Sequence, residues 1–232
     1  MKKQPTQPVS IISLGGSLIV PDEIDVTFLK KFRQLILSFV RQGQRFVIIT
    51  GGGKTNKRYN EAARKLATVK AVDLDWIGIA TTKVHAHLLR SIFGAYANTT
   101  LIDNPEKPPK MLRPILLGGG YVPGHSTDMD AVQMAIALGA TRILNLSDIP
   151  YVYTKDPKKY KDAKALGQVN WKEYRKIIPK KWTPRLSSPF DPRASALAQK
   201  HGLEVDILQG KRLEQVKLAL QGKAFHGTRI FT

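Results

Sequence analysis

The sequence predicts an α/β fold in which a mainly parallel β-sheet carries helices on both faces. Short β-branched or apolar runs of strand length alternate with longer segments of helical periodicity. The chain has 232 residues, of which 42% are hydrophobic, and this is enough to bury one large core. Three of the apolar runs end in consecutive glycines, at residues 15–16, 51–53 and 118–120. Such glycines allow the backbone to turn sharply and to approach a bulky anion closely.

The predicted elements follow one another in the order strand–helix–strand along most of the chain. Predicted strands are residues 9–14, 46–50, 115–117, 141–146 and 205–208, with a short extended piece at 151–154. Predicted helices are residues 26–43, 55–66, 74–93, 128–138, 171–178, 193–201 and 213–220. The proline-containing segments 103–110 and 182–192 predict loops. Since no linker, repeat or low-complexity tract interrupts this order, we expect one domain with two lobes.

Composition excludes several classes of protein. The absence of cysteine excludes disulfides, thiolate metal sites and thiol catalysis. No run approaches the roughly 20 apolar residues that span a bilayer, and the amino terminus lacks a secretory pattern, so we expect a soluble cytoplasmic protein. The formal charge of +19 attracts polyanions. Because the basic residues are scattered and no nucleic-acid-binding motif accompanies them, nucleic acid is not the expected main partner.

The three glycine exits indicate a phosphate-rich ligand along one edge of the sheet. The second exit is followed by Lys54, Lys57 and Arg58, and cations behind backbone N–H groups at a helix start favour phosphoryl oxygens. The spacing is not that of a P-loop. No cluster of His, Asp or Glu has metal-ligand spacing, so any metal would be Mg²⁺ held by substrate phosphates and water.

Two acidic residues each permit two interpretations. Asp128 lies in the first turn of a predicted helix, where it either supports the helix or orders a phosphate-binding loop. Asp75 lies near the start of another helix and either caps it or accepts hydrogen bonds from the ribose hydroxyls of a nucleoside. His125, in the loop before Asp128, either contacts phosphate or has no role. No Ser-His-Asp arrangement suggests nucleophilic catalysis.

Six motifs in this order resemble the amino acid kinase superfamily, and within it the uridylate (UMP) kinases of archaeal type. They are LGGS at 14–17, TGGGK at 50–54, DWIGI at 75–79, PGHSTD at 123–128, VYTKDP at 152–157 and FDP at 190–192. The resemblance implies a three-layer α/β/α sandwich formed by residues 1–232, with an acceptor-binding half at about 9–140 and an ATP-binding half at about 141–232. It also implies a homohexamer built on dimers that uses ATP, UMP and Mg²⁺.

The resemblance further implies three groups of site residues. The catalytic group is Lys57, Asp128 and Asp191. ATP would contact Gly16, Ser17, Gly53, Lys57, Ser147, Asp148, Tyr153 and Asp156, and UMP would contact Gly52, Asp75, Tyr121, Pro123, Gly124, His125, Ser126 and Thr127. No protein side chain would ligate the metal. Glycine N–H groups, Lys57 or Arg58, and Mg²⁺ would stabilise the transferred phosphoryl group, and an already anionic UMP phosphate needs no general base.

The sequence departs from the family pattern at three positions. Ser13 replaces a lysine that many superfamily kinases carry, and Lys57 replaces an arginine, which keeps the charge but loses the bidentate fork. Pro150 stands where the family usually has aspartate, and proline can neither ligate a cation nor accept a proton. Three functions therefore stay open: a UMP kinase, a kinase of another small acceptor, and a kinase-fold nucleotide-binding, storage or sensor protein with weak or no catalysis.

Overall fold

The structure is a computed structural model that describes residues 9–179 and 188–232. Its strands are β1 (Val9–Leu14), β2 (Arg45–Thr50), β3 (Ile115–Gly118), β4 (Arg142–Ser147), β5 (Val152–Tyr153), β6 (Ala165–Leu166), β7 (Gln168–Asn170), β8 (Glu204–Gln209) and β9 (Thr228–Phe231). Its helices are α1 (Gly16–Ile19), α2 (Val26–Val40), α3 (Gly53–Leu66), α4 (Ala71–Phe93), α5 (Thr127–Leu138), α6 (Trp171–Ile177), α7 (Pro192–Lys200) and α8 (Leu213–Leu220). In the described part of the chain, none of the helices could span a bilayer.

A seven-stranded sheet with the order β3-β2-β1-β4-β8-β9-β7 forms the centre of the fold. The first five of these strands are parallel, and β9 is antiparallel to β8. Strands β5 and β6 form a separate antiparallel pair. The prediction of a mainly parallel sheet is confirmed, and the carboxyl ends of five neighbouring strands consequently lie along one edge.

Alternating side chains of the sheet pack into two separate hydrophobic cores. One core contains Ile12 of β1 and Phe32 of α2, together with residues of α4 and α8. The other contains Ile11 of β1 and Trp171 of α6, together with residues of α5 and α7. Because neighbouring residues of a strand point to opposite faces, each face of the sheet is covered by its own layer of helices. The predicted three-layer α/β/α sandwich is therefore confirmed.

Most predicted elements are present, with shifts at their ends. Helix α3 begins at Gly53 and α4 at Ala71, each slightly earlier than predicted. Helix α1 and strands β6, β7 and β9 were not predicted, since each is four residues or fewer and too short to show a period. Of the predicted loop 182–192, residues 182–187 lie outside the described part of the chain, and residue 192 is the first of α7.

A buried ion pair explains why β9 joins the sheet. Asp206 of β8 is fully buried, and Arg229 of β9 lies opposite it in the antiparallel register. The Arg229 guanidinium donates from Nε to Oδ1 at 2.8 Å and from Nη2 to Oδ2 at 3.1 Å. This contact raises the pKa of Arg229. A buried carboxylate needs such a partner, so the pair stabilises this position of β9 in the sheet.

Candidate active site

The first two glycine exits meet at the carboxyl edge of the sheet. A Cβ atom on Gly16 would collide with the backbone nitrogen of Gly53, and one on Gly53 would collide with the carbonyl oxygen of Gly16. Gly53 also has a φ of 57°, which favours glycine. Only glycine at both positions allows this contact. The loops after β1 and β2 therefore form one backbone surface, from which α3 starts without a side-chain cap, so that the positive end of its dipole lies there.

Helix α4 fixes the second and third glycine exits from behind. Thr82 Oγ1 accepts a hydrogen bond from Gly120 N at 2.7 Å, and the Thr82 carbonyl accepts one from Thr50 Oγ1 at 2.8 Å. His85 Nδ1 lies 2.7 Å from the Gly51 carbonyl oxygen, which can only accept, so this nitrogen carries the hydrogen. One helix thus sets the positions of two neighbouring loops.

The electrostatic state of His85 follows from its burial. Burial lowers the pKa of His85, against the opposing effect of its bond to Gly51, and the ring is neutral at neutral pH. With the hydrogen on Nδ1, the other ring nitrogen accepts from Thr55 Oγ1, which lies 3.2 Å away. The imidazole consequently bridges the loop after β2 and the first turn of α3.

A pocket of about 310 Å³ opens between α3, α4, the loop before α5 and the start of α7. This volume is at the small end of the range for ligand sites in proteins. The pocket is lined by Gly52, Asn56, Asn60, Arg64, Ala71, Leu74, Asp75, Gly78, Ile79, Thr82, Gly120, Val122, His125, Ser126, Thr127, Asp128, Ser188, Asp191 and Pro192.

Two carboxylates form one wall of this pocket. Asp128 Oδ1 accepts from Ser13 Oγ at 3.2 Å, and Asp128 Oδ2 accepts from Asp191 N at 3.1 Å. Burial raises the pKa of Asp128 to about 7, and the Asp191 charge adds to this against the two hydrogen bonds. The Asp128 carboxyl therefore keeps its proton to a higher pH than an ordinary aspartate does. Its position in the first turn of α5 follows from Ser126, which is the N-cap of that helix.

Asp191 supports a helix with one oxygen and leaves the other without a partner. Its Oδ1 accepts from Arg193 N at 2.7 Å and from Ala194 N at 2.8 Å, which caps α7. Its Oδ2 is buried and has no hydrogen-bond partner among the described residues. A buried carboxylate oxygen without a donor is costly unless a ligand, water or cation completes it.

Asp75 does not cap its helix. The N-cap of α4 is Lys70, and Asp75 Oδ2 instead accepts from Gly124 N at 2.9 Å. The Gly124 carbonyl in turn accepts a hydrogen bond from Arg193. The helix-cap interpretation of Asp75 is therefore wrong, and the side chain connects α4 to the loop before α5 at the pocket wall.

His125 lines the same pocket as a neutral ring. Burial lowers its pKa, and the Arg193 charge lowers it further, against smaller effects of Glu106 and Asp191. Its Nδ1 is buried without a hydrogen-bond partner among the described residues. A neutral imidazole is a weak partner for phosphate but can exchange a hydrogen bond with an uncharged group.

The structure brings together only some of the residues predicted for the site. The pocket lining contains seven of them, namely Gly52, Asp75, His125, Ser126, Thr127, Asp128 and Asp191. Tyr121, Pro123 and Gly124 belong to the same loop but lie outside this lining. Lys57 is exposed on α3 and also lies outside it. Arg58 forms an ion pair with Asp22 at the surface, at 2.9 Å. The cationic residue of α3 that does line the pocket is Arg64.

The residues predicted for ATP lie outside the lining of the pocket. Gly16, Ser17 and Gly53 belong to the joined glycine loops, and Ser147 ends β4, where its carbonyl accepts from Gly210 N at 2.8 Å. Tyr153 is half-buried on β5, whereas Asp148 and Asp156 are exposed. Pro150 lies between β4 and β5. The segment 155–164 is largely exposed, and its Lys155 pairs with Asp162 at 2.7 Å.

Several pocket residues escaped sequence reasoning. Asn56, Asn60 and Arg64 follow one another at intervals of four along α3, and that spacing places them on one face of the helix. The spacing was visible in the sequence, but the face was not assigned. Thr82 gave no signal, because single hydroxyls in a helix are common.

Comparison with known families matches residues 8–209 to the amino acid kinase family. The chain is similar to a protein named uridylate kinase from Pyrococcus abyssi, with 30% identity over 95% of this chain and 98% of that protein. It is similar to another of that name from Thermoplasma volcanium, with 31% identity over 92% of this chain and 93% of that protein. Among solved structures, uridylate kinase from Archaeoglobus fulgidus superposes with a TM-score of 0.81 and 27% identity, over 97% of this chain and 100% of that one.

Proposed function

The chain belongs to the amino acid kinase family, and we propose that it transfers the γ-phosphoryl group of ATP to UMP, giving ADP and UDP. One observation carries this proposal: a single pocket holds Asp75 on one wall and Asp128 and Asp191 on another, beside the joined glycine loops. The pocket therefore offers an acceptor for ribose hydroxyls, and the glycine loops beside it offer backbone N–H groups for phosphates. Relatives named uridylate kinase that match over nearly their whole length support the choice of acceptor.

The acceptor nucleotide would be held from both ends. Asp75 can accept hydrogen bonds from the ribose hydroxyls while its bond to Gly124 keeps the side chain in place. The phosphate of UMP would lie near Gly52, the N-cap of α3, where the positive end of the helix dipole favours an anion. His125, neutral at this site, would contact the uncharged part of the nucleotide.

Catalysis by these residues would consist of alignment and electrostatic stabilisation. An oxygen of the UMP phosphate attacks the γ-phosphorus, the bond from that phosphorus to the β-phosphate oxygen breaks, and ADP leaves with the electron pair. Charge is spread over the equatorial oxygens during this step, and the joined loops at Gly16 and Gly53 offer backbone groups already in position. No proton has to be removed from the nucleophile.

The residues at this wall fit a Mg²⁺ ion that is held mainly by phosphates and water. Among the described residues, no group of three or more His, Cys, Asp or Glu side chains is arranged to bind a metal. Asp191 nevertheless has one buried carboxylate oxygen without a partner, which could accept from water bound to the ion. When bound, Mg²⁺ would neutralise charge on the phosphates. Asp128 would orient Asp191 through its bond to the Asp191 amide.

We also propose a cytoplasmic homo-oligomer, as the resemblance implied. Its support is an exposed apolar set on α4, consisting of Val72, Trp76 and Val84, which a second copy could cover. The compartment follows from the substrates, since charged nucleotides do not cross membranes unaided. Sedimentation velocity would measure the assembly, and a purely monomeric protein would contradict this part of the proposal.

A coupled assay of ADP release tests the reaction. The protein is supplied with ATP, Mg²⁺ and, in turn, UMP, CMP, dTMP, AMP and acetylglutamate. Turnover selective for UMP is expected. Turnover of another acceptor would instead support a kinase of another small acceptor. Silence with every acceptor, with ATP binding intact by calorimetry, would support the nucleotide-binding protein that Pro150 suggests.

Replacement of Asp75 by alanine tests the acceptor site. We expect Asp75→Ala to raise the KM for UMP about 10- to 100-fold, because hydrogen bonds to a charged group contribute about 1.5–3 kcal/mol. The KM for ATP should change less than about threefold. Asp75→Asn keeps an acceptor for Gly124 N and should have an intermediate effect. Equal changes for both substrates would show that Asp75 is not an acceptor-site residue.

A further inference from the structure

Two asparagines of α3 are incompletely satisfied where they line the acceptor pocket. Asn60 is only 4% exposed, and Asn56 and Asn60 each have a buried Oδ1 atom without a hydrogen-bond partner among the described residues. Leaving a buried amide oxygen unpaired lowers stability. Buried polar groups in proteins are generally paired, and these two unpaired atoms belong to residues that line a pocket, so they indicate positions that a ligand completes.

The other buried asparagines differ from this pair. Asn98 donates from Nδ2 to the Lys110 carbonyl at 2.9 Å and accepts at Oδ1 from Arg113 N at 2.8 Å. Asn145 donates to the Pro189 carbonyl at 3.0 Å. Both hold loops, as structural asparagines do. The Oδ1 atoms of Asn56 and Asn60 accept no hydrogen bond from any loop among the described residues. Both side chains line the pocket.

Asn56 packs closely against two other elements that line the pocket. A Cβ atom on Gly52 would lie 2.8 Å from Asn56 Cβ, and one on Gly78 would lie 3.3 Å from Asn56 Nδ2. Asn56 is therefore packed between the glycine loop and α4. Asn60 follows one turn later, and its own carbonyl accepts from Arg64 Nη1 at 3.4 Å. The amides thus extend along α3 on the wall that faces α4.

The chemistry of an amide oxygen limits what it contacts. It carries partial negative charge and accepts hydrogen bonds, so it disfavours phosphate oxygens and needs N–H or O–H donors. A uridine nucleoside offers such donors only as ribose hydroxyls and as the imino group of the base. We propose that Asn56 and Asn60 are specificity-determining residues that accept hydrogen bonds from the nucleoside part of the acceptor. This inference rests on the proposed UMP kinase function.

The test uses Asn60→Leu, which keeps the size of the side chain and removes its polar atoms. Because the unpaired oxygen disappears, the melting temperature should stay equal or rise, while the KM for UMP rises at least 10-fold. The KM for ATP should stay within about twofold of the wild-type value. Glu61→Gln, at the neighbouring exposed position, is the matched control and should change neither KM.

A comparison with Asn98→Leu separates structural from ligand-binding roles. Asn98→Leu should lower the melting temperature without a selective effect on UMP, since Asn98 pairs with two backbone groups, the Lys110 carbonyl and the Arg113 amide. If Asn60→Leu behaves in the same way, Asn60 is structural and the proposal is wrong. An unchanged KM for UMP would overturn it as well.

Two analogues of UMP identify which group of the nucleoside donates a hydrogen bond to the Asn60 amide oxygen. dUMP lacks the 2′-hydroxyl group, and UMP methylated at N3 lacks the imino hydrogen. The wild-type enzyme should disfavour at least one of them, and Asn60→Leu should lose that preference. A variant that discriminates against both as strongly as the wild type would refute the contact.

The outcome for this proposal can be separated from that for the proposed function. Wild-type turnover of UMP is measured first, and its absence would refute both. Normal wild-type turnover together with an unchanged variant would refute the role of the asparagines alone.

Discussion

The two sides of the carboxyl edge are constructed differently. Under the proposed function, the acceptor side comprises the exits of β1, β2 and β3 with α3, α4 and the first turn of α5, and its loops are fixed by side chains such as Thr82, His85 and Asp75. The donor side would then comprise residues 147–156, from the last residue of β4 onwards. There Ser147 is held by backbone pairing to Gly210, and its hydroxyl accepts from Ile149 N at 3.4 Å. Asp148 and Asp156 are exposed.

This difference indicates where the protein depends on particular side chains. Buried hydrogen bonds on the acceptor side hold the loops in place before a ligand binds. Removing one partner of such a bond therefore lowers stability and activity strongly. The exposed groups of the donor side are screened by water, so a single replacement there removes little. Pro150 lies on the donor side, outside the buried network. Its departure from the family pattern is therefore expected to be tolerated.

The largest effect on the acceptor side is expected from Asp128→Asn. The amide keeps the shape and can still accept from the Asp191 amide while donating to the Ser13 hydroxyl, but it removes the negative charge of the carboxylate. Loss of a preorganised electrostatic group of this kind lowers kcat about 10²- to 10³-fold. Steady-state kinetics with UMP and ATP measure the change. Ser13→Ala, which removes one of the two donors, is the graded control and should cost less.

A result within threefold of wild type for Asp128→Asn would contradict the contrast between the two sides. It would mean that Asp128 and Asp191 have a structural role and do not act on the reacting phosphates. The melting temperature of the variant distinguishes lost catalysis from lost folding.

Asp130 gives the acceptor side a dependence on pH. It is fully buried on α5, and burial raises its pKa to about 8, with a contribution from the Asp128 charge against the Tyr121 backbone. The folded protein therefore binds a proton that the unfolded chain releases near pH 4. Stability from this group is present at low pH and is lost as pH rises towards 8.

Asp130→Asn should remove that dependence. Because the slope is about 1.4 kcal/mol per pH unit while only the folded state is protonated, the variant should gain about 3 kcal/mol relative to wild type between pH 5 and 7. Urea unfolding at several pH values measures the difference. Asp162→Asn, on an exposed segment, is the control and should show no such trend. Parallel pH profiles for wild type and Asp130→Asn would show that Asp130 is not neutral in the folded state.

A smaller effect is expected from Thr82→Val. Valine keeps the shape but leaves Gly120 N without its acceptor, so stability should fall by about 1–3 kcal/mol. The loop after β3 lines the acceptor pocket, so the KM for UMP should rise several-fold while that for ATP stays nearly constant. Thr100→Val, at an exposed position, is the control. An equal rise in both KM values would mean that α4 positions the whole edge and not the acceptor loops alone.

More of the fold than of the candidate site could be predicted from the sequence. The strand β2 and its glycine exit were visible because β-branched residues lead directly into Gly51, and the alternation with helices then determined a parallel sheet. Strand β9 was missed because its place depends on the pair formed by Arg229 and Asp206, which are distant in sequence. The bonds of Thr82 and His85 were missed for the same reason. Lys57 stays a prediction, although the pocket face of α3 contains Arg64 instead.

The smallest effect is expected on the donor side, from Asp148→Ala. The side chain is exposed, so its removal should change the KM for ATP less than about threefold and leave the KM for UMP unchanged. Pro150→Asp, which restores the residue usual in the family, should likewise change kcat less than about threefold. A tenfold loss in Asp148→Ala would mean that Asp148 has taken over from the absent carboxylate. A tenfold gain in kcat for Pro150→Asp would mean that catalysis in the wild-type enzyme is limited by the missing carboxylate. Either result would show that the donor side, despite its exposure, depends on one carboxylate as strongly as the acceptor side does.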